Sequence, residues 1–116
     1  MDRRQQPAPI RASLLALNGD LAGKRYRLRM EQYVGVLHCS DSEIAYSNSK
    51  LLVSRHHLRI FFVDGRFVME DCGSRHGSFW NRERVASHVL AHGDLIGAGQ
   101  AELLFEIDAV VPTSTP

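Results

Sequence analysis

The chain has 116 residues, a formal net charge of +1, 44% hydrophobic and 23% charged residues, the size and balance of one globular domain with a modest core. So small a net charge excludes a general electrostatic affinity for nucleic acid or membrane surfaces, so recognition of an anion has to be local. No apolar run approaches the roughly 18–20 residues of a membrane helix, and the N-terminus MDRRQQPAPIR lacks the apolar stretch of a secretory signal.

Residues 1–10 are polar and proline-bearing and read as a flexible arm, residues 11–108 as a single folded domain, and residues 109–116 (VVPTSTP at the end) as a flexible tail or linker. Within the domain the hydrophobic period is two. A first strand is expected over Ser13–Leu17, closed by the turn Asn18-Gly19. In Lys24–Met30, Tyr26, Leu28 and Met30 alternate with Arg25, Arg27 and Arg29, the pattern of a half-buried strand. Short strands follow at Tyr33–His38 and Glu43–Tyr46, then the turn Ser47-Asn48. Leu58, Ile60 and Phe62 face the core, and Asp64-Gly65 closes a hairpin whose return strand buries Phe67 and Met69. Phe79–Trp80, His88–Leu90 and Asp94–Ile96 are shorter candidates between glycine turns, and Leu103, Phe105 and Ile107 close the pattern. Many short strands and no helical stretch indicate a β-sandwich or barrel.

Two polar clusters flank the central hairpin: Val53-Ser54-Arg55-His56-His57 before its first strand and Cys72-Gly73-Ser74-Arg75-His76-Gly77-Ser78 after its second. Antiparallel pairing brings both to the same end of the sandwich. A hydroxyl and a guanidinium from each would then converge, which suits a dianion such as phosphate. The competing reading is that serine and arginine in turns cap backbone groups or are solvated.

Other chemistries compete for the same residues. Ser54, His57 and Asp71 have the residue types of a hydrolase triad, but no nucleophile-elbow glycines surround the serine, and His57 reads as a loop brace. Cys39 and Cys72 lie far apart and point to a reducing cytoplasm, and with His38, His56, His76, His88 and His92 they show no metal-ligand spacing. Arg25, Arg27 and Arg29 share their strand face with no aromatic that could stack on a base; they read as a solvated strand face, a guard on an edge strand, or a contact for an acidic partner. Phe79 and Trp80 read as core or partial core.

The order Gly35, Ser54-x-x-His57, Ser74-x-x-Gly77-Ser78 and Asn81 resembles the forkhead-associated (FHA) domain over roughly residues 12–107. The resemblance is supported by Leu14, Gly19, Ile44, Glu70-Asp71-Cys72-Gly73, Gly93-Asp94-x-Ile96 and Leu103-x-Phe105. It implies an all-β, FHA-type sandwich of about eleven mostly antiparallel strands, with apical loops that bind phosphothreonine peptides and neither catalysis nor a cofactor. Ser54 then matches a serine that binds a phosphate oxygen, and Arg55 a neighbouring position that also reaches the phosphate. Ser74 opens the family's Ser-x-Asn-Gly-Thr loop, with Arg75 in its variable position, Gly77 retained and Ser78 in place of threonine. Gly35, His57 and Asn81 match loop-bracing positions.

Two departures accompany the match. Val36 stands where the family carries a phosphate-binding arginine, and His76 stands for the asparagine that bonds the peptide backbone. Loss of one charge-assisted hydrogen bond costs ~1.5–3 kcal/mol, a roughly 10- to 100-fold loss of affinity, for which Arg55 and Arg75, and Lys50 or His38 on neighbouring loops, are the candidate substitutes. An imidazole keeps part of the amide's hydrogen bonding and favours phosphate once protonated. The sequence therefore points to a reader of phosphothreonine peptides in a signalling or regulatory assembly. The alternative is a divergent FHA domain that binds a protein partner without phosphate, as a scaffold or oligomerisation module.

Overall fold

The structure, a computed structural model, describes residues 3–36, 42–47 and 50–108. Eleven strands form two sheets among them: β1 Ala12–Ala16, β2 Arg25–Arg27, β3 Glu31–Val36, β4 Ser42–Tyr46, β5 His56–Val63, β6 Arg66–Asp71, β7 Ser78–Trp80, β8 Glu83–Val85, β9 Ser87–Val89, β10 Leu95–Ala98 and β11 Ala101–Ile107. A six-stranded sheet runs β2-β1-β11-β10-β7-β8, and a five-stranded sheet runs β4-β3-β5-β6-β9. All pairs are antiparallel except β3 with β4. The expected sandwich is the fold observed.

Period two decides which side chains meet between the sheets. Leu14, Ile96, Leu103 and Phe105 come from one sheet and Val34, Ile44, Leu58, Ile60, Phe67 and Met69 from the other, all essentially buried. Phe67 meets Phe105 edge to face across the interface, with centroids 5.7 Å apart. Each such side chain contributes about 1.5–3 kcal/mol by leaving water, so the alternation fixes register: a one-residue slip would turn the whole set outward.

The Lys24–Met30 reading is right about faces and too long in extent. Leu28 is buried and Arg25 and Arg27 are exposed, but regular pairing to β1 stops at Arg27. Arg29 instead bridges Pro7, and the Met30 amide donates to the Gln6 carbonyl. The first ten residues, read above as a flexible arm, thus include a stretch laid against the sheet, with Ala8 buried. Asn18-Gly19 opens a single 3-10 turn, Gly19–Leu21.

Two hairpins turn through left-handed pairs. Asp64 and Gly65 have φ of 51° and 80°, as the Asp-Gly signal requires. Asn81 and Arg82, with φ of 48° and 71°, make the same kind of turn between β7 and β8 without glycine. Side-chain bonds hold it: Asn81 Nδ2 donates to Asp94 Oδ1 (3.1 Å), and Asn81 Oδ1 accepts from the Leu95 amide (2.8 Å). Trp80 Nε1 reaches Asp94 Oδ2 at 2.8 Å, and the half-buried indole stacks on His88 of the opposite sheet at 3.7 Å.

Gly99, in the β10–β11 turn, has φ of +61°, and a Cβ there would lie 2.3 Å from the Leu52 carbonyl oxygen. Gly65 has φ of +80° with nothing within 4 Å of the corresponding position. Gly65→Ala is therefore expected to cost about 1–2 kcal/mol from backbone conformation alone, and Gly99→Ala distinctly more because loop 50–55 must also move. Urea unfolding of the two variants checks the order.

Candidate functional site

Pairing of β5 with β6 places Leu58 opposite Asp71 and joins the two polar loops directly, the Cys72 amide donating to the His57 carbonyl (2.9 Å). His57 is fully buried between them. Its Nδ1 accepts from the Ser54 amide at 2.9 Å, and its Nε2 lies 2.7 Å from the Gly77 carbonyl. A carbonyl only accepts, so Nε2 carries the hydrogen and the ring is the neutral tautomer. Burial pushes its pKa below the ordinary 6.5, against the opposing pull of the Gly77 hydrogen bond. The same Gly77 carbonyl takes the Gly99 amide (2.9 Å), and the Gln100 amide bonds the Leu51 carbonyl (2.7 Å). Three loops are thereby tied at one end of the sandwich.

Asp71 organises the second loop. It accepts the Gly73 and Ser74 amides (3.0 Å each), the Ser74 hydroxyl (2.5 Å) and the Ser78 hydroxyl (2.6 Å). Burial raises its carboxyl pKa, but the hydroxyl and amide donors outweigh it and hold the group below the ordinary 3.8. Ser74 Oγ also accepts the Gly77 amide (3.0 Å). Both of these bonds of the Ser74 hydroxyl lie within the loop, where they tie Asp71 to Gly77.

The surface above this frame is a groove of about 450 Å³ lined by Leu52, Val53, Ser54, Arg55, Arg75 and His76. Ser54 Oγ accepts the Arg75 amide at 3.1 Å, which leaves its own hydrogen to donate to an anion. Arg55, Arg75 and His76 are exposed around it. Val36 is 6% exposed and packs in the core, so that position supplies no cation. Gly35 pairs with Ala45 and His56 on either side of β3, at an irregularity in its register with β5.

Sequence reasoning missed Arg84. It sits on β8 opposite Phe79, and its guanidinium lies over Gly77: a Cβ on that glycine (φ +92°) would come within 2.7 Å of Nε. The one available signal was the Asn81-Arg82 turn, which makes Glu83–Val85 the return strand of a hairpin.

This arrangement can hold a phosphate group through guanidinium charge, the Ser54 hydroxyl and neighbouring polar groups. It does not assemble a hydrolase triad. Ser54 meets His57 through its amide, both ring nitrogens are engaged, and Asp71 bonds Ser74 and Ser78. Among the described residues no three His, Cys, Asp or Glu side chains cluster as a metal site. His38 and Cys39 lie outside those residues.

Because burial holds the pKa of folded His57 below 6.5 while an unfolded histidine protonates near 6.5, the unfolded state binds more protons as pH falls through that value. Stability should fall on acidification from pH 7 to 5, with a slope of at most one proton, about 1.4 kcal/mol per pH unit. Asp71 adds a further loss as pH drops below 3.8 toward its depressed folded value. Denaturant titrations across pH, on the wild type and on His57→Gln, check that the upper slope belongs to His57.

Residues 33–99 match the FHA domain family. The chain is 36% identical over 94 residues to the glycogen accumulation regulator GarA of Mycolicibacterium smegmatis, covering 81% of this chain and 58% of the regulator. It thus spans little more than half the length of the curated relatives it matches. A solved structure described as "Structural and functional analysis of phosphothreonine-dependent FHA domain interactions" superposes with a TM-score of 0.72 at 26% identity, over 86% of this chain and 99% of the other. The FhaA FHA domain complexed with the intracellular domain of Rv3910 gives 0.70 at 27%, over 82% and 99%. Among the described residues no helix is long and apolar enough to cross a membrane. With the family match extending over more than half of its length and the same sandwich beneath the same loops, the chain belongs to the FHA domain family.

Proposed function

We propose that this FHA domain reads phosphothreonine-containing segments of partner proteins in a cytoplasmic regulatory assembly and performs no catalysis. The observation that carries the reading is Ser54: its hydroxyl is held by the Arg75 amide at 3.1 Å, with its hydrogen free to donate, at the mouth of a groove lined by Arg55 and Arg75. These arginines, with Arg84 over Gly77, supply the positive charge that Val36 does not. His76 lines the groove and, with Gly77 beside it in the loop, shapes the contact with the peptide backbone. Ser74 acts through the loop rather than on the ligand. The phosphothreonine-dependent FHA interactions of a structural relative support the same reading.

A phosphate-independent role has one observation in its favour: Val36, with its buried aliphatic side chain, removes the family's arginine from the groove. Fluorescence anisotropy with matched phosphothreonine and unphosphorylated peptides separates the two. Preference for the phosphorylated set is expected, with a roughly 10- to 100-fold loss in Arg55→Ala/Arg75→Ala and about tenfold in Ser54→Ala. Ser74→Ala is expected to act chiefly on stability, lowering the melting temperature. Equal binding of both peptide sets would sink the phosphate reading.

A further inference from the structure

At the other side of the sandwich the arginine-bearing strand β2 is the outermost strand of the six-stranded sheet. Leu14 faces Tyr26, the Ala16 amide donates to the Lys24 carbonyl (2.9 Å), and the Leu28 amide donates to the Ala12 carbonyl (2.8 Å). Antiparallel ladders alternate, so Lys24, Tyr26 and Leu28 turn their backbone toward β1, while Arg25 and Arg27 turn theirs to the open side. An edge of this kind is a template for another strand.

The open side is a groove of about 510 Å³. Arg25, Arg27 and Arg29, Gln32 and Ile44 of the second sheet, and Gln5 and Pro7 of the N-terminal stretch line it; the Gln32 amide group bonds the Arg29 amide and carbonyl, so the open backbone is that of Arg25 and Arg27. Residues 24–29 (KRYRLR) hold four cations and no acid. Nearby, Glu106 takes Arg25 at 2.5 Å, and Arg29 donates to the Gln5 side-chain oxygen. Arg27 is exposed and has no ion pair among the described residues. The edge therefore keeps both main-chain hydrogen-bonding capacity and surplus positive charge. Like charges directly opposite one another destabilise strand pairing, which disfavours pairing of this edge with a second copy of itself. A strand bearing acids at alternate positions would meet the arginines with opposite charge.

We infer that β2 is a docking edge for an acidic, extended peptide segment of a partner protein, which adds as a seventh strand to the six-stranded sheet. The backbone groups of Arg25 and Arg27 form the ladder, and Arg27 with its neighbours selects for acid. The surface is distinct from the apical groove and requires no phosphate.

Amide hydrogen exchange followed by NMR on the full chain tests this with an eight-residue synthetic peptide alternating glutamate and valine, and a lysine–valine control. The glutamate peptide is expected to protect the Arg25 and Arg27 amides, and its binding to weaken as salt rises. Arg27→Ala should lower affinity about threefold, as for an exposed ion pair. Arg27→Pro removes the outward amide without removing a bond to β1, and should lower affinity about tenfold or more. Arg55→Ala/Arg75→Ala should bind the glutamate peptide unchanged, which keeps this result separate from the apical site. Equal binding of the lysine peptide, or protection confined to loops 51–57 and 72–78, would overturn the proposal. So would equal affinities of Arg27→Ala and Arg27→Pro. If Arg27→Pro fails to fold, the wild-type exchange pattern decides alone.

Discussion

The contact from His57 Nε2 to the Gly77 carbonyl is the constraint on which the recognition end depends. A neutral imidazole can donate from one nitrogen and accept at the other, and both capacities are filled by backbone: the Gly77 carbonyl on one side, the Ser54 amide on the other. The ring therefore measures the separation of two loops that are 20 residues apart in sequence. In a fully buried position neither bond has water as a substitute. Removing the ring leaves an amide and a carbonyl in need of partners as well as a cavity. The Gly77 carbonyl passes the constraint to the β10–β11 turn through the Gly99 amide, so the groove rests on a frame drawn from both sheets.

Two carboxylates do comparable work at different turns. Asp71 gathers four donors from residues 73–78, and Asp94 gathers Trp80, Asn81 and the Ala91 amide. In each case burial raises the carboxyl pKa and hydrogen bonds overcome it, so the charged form is the one the fold retains. Short loops that turn sharply expose amides to which no strand is opposed, and an anion within hydrogen-bond reach satisfies several at once. The charge that faces the solvent groove is positive, while the charge beneath it is negative. The same Ser-Arg-His-Gly run thus presents arginine outward and serine inward.

Much of this was legible in the chain, because alternation and hairpin turns are local facts. Leu58, Ile60, Phe67, Met69, Leu103 and Phe105 all reach the core as period two requires, and Asp64-Gly65 turns as its chemistry demands. Adjacency of the two polar loops also followed, since hairpin geometry forces it. The β8 strand was not legible because its turn has Asn81 and Arg82 where a glycine signal was sought, and its left-handed conformation is held by Asp94, a residue 13 positions away. Ser74 illustrates a second kind of illegibility. A serine hydroxyl offers the same donor and acceptor to a ligand or to a carboxylate, and only the position of Asp71 decides between them. Arg84 is a third case, since its place over Gly77 depends on the register of β8 against β7.

Val36 shows how a family position can change character without disturbing the fold. An arginine there would have to direct a long charged chain out toward the groove, whereas the valine, paired with Tyr46 of β4, is buried and adds to the core. The backbone is indifferent to the exchange: the Val36 amide still donates to the Arg55 carbonyl at 3.1 Å, so the loop carrying Ser54 keeps its anchor. The arginines that line the groove, Arg55 and Arg75, have their own backbone in the two polar loops, while Arg84 lies over Gly77. Long exposed side chains lose more rotamer freedom when they close on a ligand than one anchored on a strand. On the proposed reading, ordering such side chains around a phosphate is part of what sets the affinity.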